Sequence, residues 1–386
     1  MRTSPLPEHN VARAFHALAI LALLSFSGSL PRAQNKPSSA EFASLSKQAE
    51  AARQADHVDE AVLLYRKALA LQPKWVEGWW ALGTLEYDRS NYSAAAASLR
   101  RLVLLAPKDG SARGMLGLCE FELGQDAAAL RDIQEGRRLG MSNNQQLHQI
   151  ALYHEGLLLL RAARFKSAQG TFGMLCKEGV QSGQLMDGMG MAVLRTAPHA
   201  APPPDSPGAA ILRRVGVGAC LATQRKFDDA FATYNALLAE YPDYPNLHYA
   251  VGLCYVEANN VPEAIDQFKI ELQRDHSNYA ASLEIATTLY KVDSTTALEY
   301  AQAVIQQKPE LPFPHYLVGL LYLDLGDHAK AIPELELAAK SLKQDPRVYF
   351  ALSTAYSRAG RKQDAAQARA TYEKLKRSTE TSAATY

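Results

Sequence analysis

The chain has 386 residues, and its 41 Lys plus Arg against 40 Asp plus Glu give a formal net charge of +1. Hydrophobic residues at 47% and charged residues at 21% exclude wholesale disorder and a multi-pass membrane protein, and the balanced charge offers no electrostatic case for nucleic acid or an anionic membrane. At about 150 residues per domain the length corresponds to two or three domains unless the chain is built from repeats, and 63 alanines favour helix over sheet.

At the amino terminus Arg2 and Arg13 precede an apolar run at 14–24, which gives way to Ser25, Ser27, Gly28 and Ser29 and then Pro31, Arg32 and Ala33. A basic segment, an apolar stretch of roughly ten residues and a small residue at the break are what a secretory signal peptide requires. Residues 1–33 are therefore expected to be a signal peptide cleaved after Ala33, followed by a linker at 34–40, and the mature protein is expected to be exported, periplasmic or secreted. A membrane anchor needs about 20 apolar residues, which this run does not reach; an uncleaved anchor is the alternative. No Cys precedes Cys119, so no thiol is available for lipid attachment near the cleavage site.

From Glu41 onward two small residues recur at a fixed distance. The first series is Ala49, Gly83, Gly117, Gly156, Gly218, Gly252, Ala286, Gly319 and Ser353. The second is Ala61, Ala95, Ala129, Ala168, Ala230, Ala264, Ala297, Ala331 and Ala365. Nearly all steps are 33 or 34 residues, with exceptions of 39 and 62 in the middle. Each unit reads as two amphipathic helices and a tight turn. In the second unit Trp79, Leu82 and Gly83 mark the first helix, 89–92 the turn, and Ala95, Leu99 and Leu102 the second helix before Pro107. Apolar positions three and four apart are helical. Small residues at the crossing let the helix backbones approach so that larger neighbours interlock. Pro73, Pro107, Pro242 and Pro309 are expected to end second helices.

This pattern resembles the tetratricopeptide repeat, with its large residue, Leu-Gly, aromatic, small residue, aromatic and proline on a 34-residue period. Trp79, Leu82, Gly83, Tyr92, Ala95 and Pro107 match it, as do Leu253, Cys254, Tyr255, Ala264 and Phe268, and finally Leu352, Tyr356, Gly360, Ala365 and Tyr372. Met141, Val180 and His276 depart from the terminal proline, and Gly136 and Glu271 from a usual alanine. The resemblance implies an all-α, right-handed superhelical solenoid: repeats one to four at 41–178, a degenerate stretch at 179–210, repeats five to nine at 211–377 and a disordered tail at 378–386.

In the degenerate stretch a first helix is expected over 185–194, holding Gly190, while its second helix is replaced by Pro198, His199 and the run Pro202, Pro203, Pro204, Asp205, Ser206, Pro207, Gly208. Four prolines in six residues cannot form a helix. A partly extended loop packed within one continuous solenoid is expected, with a flexible linker between two domains as the alternative.

No metal or cofactor constellation stands out. His154-Glu155 lacks the second His of a zinc helix, and the glycine pairs at 188/190 and 216/218 neither follow a predicted strand nor precede Lys-Ser/Thr. Met186, Met189 and Met191 near His199 could suggest a soft copper site, but methionines at helical spacing read as core. No cofactor and no enzymatic activity are expected. Cys220 and Cys254 occupy equivalent places on successive first helices, about 8–10 Å apart and beyond bridging distance; they, Cys119 and Cys176 are all expected to be free thiols.

The resemblance further implies that first helices line a concave binding face. On this chain that face comprises Trp80, Tyr87, Phe121, Tyr153, Leu157, Tyr249, Leu253, Leu283, Tyr290, Tyr316, Leu320 and Phe350, with Leu160, Val256, Leu323 and Arg53, Arg161, Arg195, Lys291, Arg347 and Arg358 alongside. The cations are too scattered to clamp an acidic terminus. The expected function is a protein-protein interaction scaffold of the cell envelope that takes an apolar or amphipathic segment of a protein partner, with no nucleic acid and no small-molecule cofactor. The alternative is an accessory subunit binding polysaccharide, suggested by Trp75, Trp79 and Trp80, or regulating an envelope enzyme. Self-occupation of the groove would remove part of this face.

Overall fold

A computed structural model describes residues 37–141 and 145–384; the expected signal peptide lies outside them. Among the described residues there are nineteen α-helices, one short 3-10 turn and no strand. The chain divides into two compact units, the first ending at Ala162 and the second starting at Ala163.

The first unit holds α1 (Pro37–Gln54), α2 (Val58–Leu71), α3 (Val76–Asp88), α4 (Tyr92–Leu105), α5 (Gly110–Glu122), α6 (Asp126–Leu139) and α7 (Gln145–Arg161). The second holds α8 (Phe165–Lys177), α9 (Gly183–Val193), α10 (Pro207–Thr223), α11 (Phe227–Glu240), α12 (Leu247–Glu257), α13 (Val261–Arg274), α14 (Tyr279–Leu289), α15 (Ser294–Gln307), α16 (Pro312–Asp324), α17 (His328–Ser341), α18 (Pro346–Arg358) and α19 (Lys362–Ala384). Two expected boundaries move. Helix α1 starts at Pro37, inside the segment expected as linker, and α19 runs to Ala384 through the expected tail. Pro37 suits a first helical turn, and the segment beyond Arg377 carries no proline or glycine to stop a helix.

Within a repeat, the first helix crosses the second at the small residue. A β-carbon at Gly83 would lie 2.8 Å from Leu99, at Gly117 2.7 Å from Ile133, at Gly218 2.9 Å from Tyr234, at Gly252 2.5 Å from Phe268 and at Gly319 2.5 Å from Leu335. In each pair the partner follows sixteen residues later, so one crossing geometry recurs. Ala61, Ala95, Ala129, Ala168, Ala230, Ala264, Ala297 and Ala331 are fully buried on the facing helices, as are Ala49 and Ala286 in the first series. Gly156 is buried too. Ser353 and Ala365, in the last repeat, are only half-buried, because no further repeat covers them.

Turns between paired helices share a single left-handed residue: Asp56, Ser90, Gly124, Arg225, Asn259, Lys291, Gly326 and Gly360 all have φ between 59° and 81°. The reversed chain closes with a hydrogen bond back to the last helical turn, as in Asn91 N to Glu86 O at 2.8 Å, which satisfies carbonyls that a helix end would orphan. The expected prolines stand two residues past the helix ends: α2 stops at Leu71 before Pro73 and α4 at Leu105 before Pro107.

The two departures from the usual alanine have local causes. Buried Glu271 on α13 accepts backbone N–H groups of Asn246 at 2.9 Å and Tyr249 at 3.2 Å, capping α12. Gly136 passes the backbone of α5, where a β-carbon would lie 2.7 Å from Gly110 O.

The irregular middle is the main structural surprise. Helix α9 forms where a first helix was expected, and Arg195 (φ 55°) follows it at the place of the usual left-handed turn residue. Instead of a second helix the chain makes a 3-10 turn at Pro198–Ala200 and enters α10, capped by Ser206. The unit boundary lies in the turn of the fourth repeat rather than at the prolines, which sit inside the second unit. They are held there because α9 and α10 pack backbone to backbone: a β-carbon at Gly190 would lie 2.0 Å from Leu212 O, and one at Gly216 1.8 Å from Met186 O. These glycines are therefore packing devices.

With the second helix missing, α8 meets α10, and Cys176 and Cys220 are joined by a disulfide with Cα atoms 5.4 Å apart. The expectation of four free thiols is corrected for this pair. Spacing between equivalent first helices excluded Cys220–Cys254, but Cys176 lies on a second helix that reaches Cys220 only because a helix is absent. Cys119 and Cys254 are free and buried, and burial pushes each thiol up to about 12.

Candidate partner-binding surface

In the first unit the candidate face is largely committed to packing. Trp80 and Tyr87 are half-buried against cores that include Leu116, Leu118 and Phe121. Phe121 is buried beneath the Arg161 guanidinium, 4.4 Å from the ring centroid, with His154 edge-on at 4.6 Å. Tyr153 and Leu157 are half-buried beside them. His154 donates Nδ1–H to Ile150 O at 2.7 Å, and burial lowers its pKa to about 4. It is thus neutral at pH 7; among the described residues no cluster of three His, Cys, Asp or Glu could hold a metal.

The tryptophans are also occupied. Trp75 lies edge-on to Phe42 and stacks on Tyr65, with centroids at 5.2 and 5.7 Å, and Trp79 Nε1 donates to Pro73 O at 2.9 Å. A sugar-stacking platform needs free ring faces, so this arrangement does not favour the polysaccharide alternative.

In the second unit the face splits. Tyr249 and Leu253 are buried, at 4% and 8% exposure. Leu283, Tyr290, Tyr316 and Leu320 are half-open, and Phe350 is 57% exposed, its ring 5.4 Å from Tyr372. Phe313, 41% exposed and 6.3 Å from Tyr316, extends this row. Spacing from the packing Gly319 does not reach it, because it lies at the start of α16, six residues earlier and beyond the preceding turn. Tyr316 lies near Tyr290, Arg347 and Asp345, which tie α14, α16 and α18 into one surface; burial dominates and raises its pKa.

The cations along the face are each engaged locally. Arg53 pairs with Glu50 at 2.6 Å, Arg161 with Asp126 at 3.0 Å and Arg347 with Asp345 at 2.6 Å. Lys291 pairs with Asp324, and Arg358 donates to Leu323 O at 3.3 Å. Arg195 sits among aromatic rings. No row of convergent cations remains for an acidic terminus. Among the described residues, no helix is long and apolar enough to cross a membrane.

A family model agrees with this architecture. A tetratricopeptide repeat family model matches residues 46–103, 81–144, 221–280 and 316–377, together more than half of the chain. Superkiller protein 3 of Schizosaccharomyces pombe is 24% identical over 147 residues. That match takes in 36% of this chain and 11% of the relative, so the chain spans only a small part of that protein's length. Among solved structures, MamA is similar at 21% identity over 43% of this chain and 97% of its own, with a TM-score of 0.41. The Cut9-Hcn1 hetero-tetramer of APC/C is similar at 14% identity over 87% of this chain and 79% of its own, with a TM-score of 0.33.

Proposed function

Since the chain belongs to the tetratricopeptide repeat family, we propose that it is a non-enzymatic interaction scaffold that binds an apolar or amphipathic segment of a protein partner on the inner side of its second unit. The observation that carries this reading is the row in which Phe313 on α16 and Phe350 on α18 are exposed, with Tyr290 at the end of α14 and Tyr316 and Leu320 on α16 half-buried beside them. Aromatic anchors in such grooves supply most of the binding energy of peptide contacts. Near-neutral charge fits recognition by shape and apolar contact.

We further place the protein in the cell envelope. The amino-terminal pattern of residues 1–33 supports export, and the Cys176–Cys220 disulfide supports an oxidising compartment, because cytosolic thiols are kept reduced. Cleavage after Ala33 is checked by amino-terminal sequencing of the protein recovered from periplasm.

The binding test replaces Tyr316 and Phe350 together by Glu. Phe350 is exposed and Tyr316 half-buried against the core of α16–α18, so helicity should hold with a small loss of melting temperature while capture of a partner from envelope extract is lost. Undiminished capture of the same partner by a folded double variant would remove the row from the binding surface.

A further inference from the structure

Repeats in a stack ordinarily touch their sequence neighbours, yet the second unit contains contacts over 84 and 118 residues. Arg195 Nη2 donates to Tyr279 Oη at 2.6 Å, and Lys166 Nζ donates to Glu284 Oε1 at 2.6 Å. The Arg195 guanidinium carbon lies 5.1 Å from the Phe165 ring centroid, 5.9 Å from Tyr249 and 5.0 Å from Tyr279. All three fall within the roughly 6 Å range of cation–π attraction. Rings from α8, α12 and α14 thus surround one planar cation, and the buried carboxylate of Glu284 lies beside Tyr249.

Arg195 has the marks of a removable occupant. It is half-buried, and its backbone has the left-handed turn geometry common to the other repeats, so only the side chain need leave. The segment after it, to Ser206, carries only a 3-10 turn, so its withdrawal breaks no helix. Lys308 Nζ, 5.6 Å from the Tyr279 centroid, is a second cation on one of the same rings.

We propose that Phe165, Tyr249 and Tyr279 form a guanidinium-binding cage that Arg195 fills as an internal ligand, and that an arginine side chain of the partner segment takes the cage when Arg195 leaves. The inference rests on the reading of the second unit as a partner-binding surface and adds a requirement to it: arginine next to apolar residues.

The test uses the full chain with Arg195→Ala and ethylguanidinium at low millimolar concentration, against matched sodium chloride, read by tyrosine fluorescence and melting temperature. A saturable response is expected in Arg195→Ala and not in the wild type, and it should vanish in Arg195→Ala/Tyr279→Ala. Acetyl-Leu-Arg-Leu-amide should bind Arg195→Ala about tenfold more tightly than wild type, since a tethered competitor acts at an effective concentration of millimolar order. Absence of a saturable response in the folded single variant, an undiminished response in the double variant, or equal peptide affinity with and without Arg195 would each overturn the proposal. Should Arg195→Ala not fold, Arg195→Gln carries the same titration. These readouts use only small probes, so the cage can fail while partner capture through Tyr316 and Phe350 stands, and the reverse.

Discussion

Replacing Gly216 by Ala adds one methyl group at the tightest helix crossing of the second unit. Its β-carbon would lie 1.8 Å from Met186 O, 2.7 Å from the Met186 carbonyl carbon and 2.9 Å from Gly190 N. Contacts between non-bonded heavy atoms are comfortable near about 3.5 Å, and backbone atoms cannot rotate away. Helices α9 and α10 must therefore part by more than an ångström along their shared face. Overpacking of this kind costs about 1–3 kcal/mol or somewhat more, against about 0.5–1 kcal/mol gained from replacing a helical glycine. The expected net loss is about 2 kcal/mol. Two controls grade the effect. Gly218→Ala, on the same helix, meets the Tyr234 ring at 2.9 Å; a side chain can shift, so the loss should be smaller. Gly170→Ala meets nothing within 4 Å and should stabilise by up to about 1 kcal/mol. Urea unfolding followed by far-ultraviolet circular dichroism, with the disulfide intact, gives the midpoints. A Gly216→Ala midpoint equal to that of Gly170→Ala would refute the backbone-to-backbone crossing of α9 and α10.

Two further outcomes follow from named contacts. The Cys176–Cys220 bond closes a separation of 44 residues, so its removal by Cys→Ser at both positions should cost about 4 kcal/mol on the loop-entropy account; a non-reduced peptide map lacking the crosslinked pair would contradict the bond itself. Burial holds the folded-state pKa of His154 at about 4, below the ordinary 6.5. The unfolded chain thus takes up the proton first, and this residue's contribution is complete above pH 6.5 and lost as pH falls towards 4. His154→Gln should flatten that acid limb by about 1–2 kcal/mol, which denaturant midpoints at pH 7 and pH 4.5 would reveal; an unchanged difference between the two would count against a buried neutral imidazole.

Most of the fold is legible in local spacing, because each repeat solves the same problem with residues close in sequence. The two recurring small residues, the helix ends before Pro73 and Pro107 and the surviving first helix around Gly190 all belong to this class. Spacing says least where the packing solution is not local. Cys176 and Cys220 meet only because a helix is missing between them, a fact about packing and not about period. The seat of Arg195 depends on Phe165 and Tyr279, both first residues of helices, where counting from the packing residue does not reach. Conversely, Tyr249 and Leu253 follow the same periodic rule as Tyr316 and Leu320, yet they are buried, since periodicity assigns a residue to a face without saying what lies over it.

The disulfide also fixes the reading frame of the stack. A second helix grafted back between Thr196 and Pro207 would insert a layer about 8–10 Å thick, while bridged Cα atoms tolerate at most about 7 Å. A restored tenth repeat and a closed Cys176–Cys220 bond are therefore mutually exclusive. The bond is thus compatible only with the shortened register that this chain adopts.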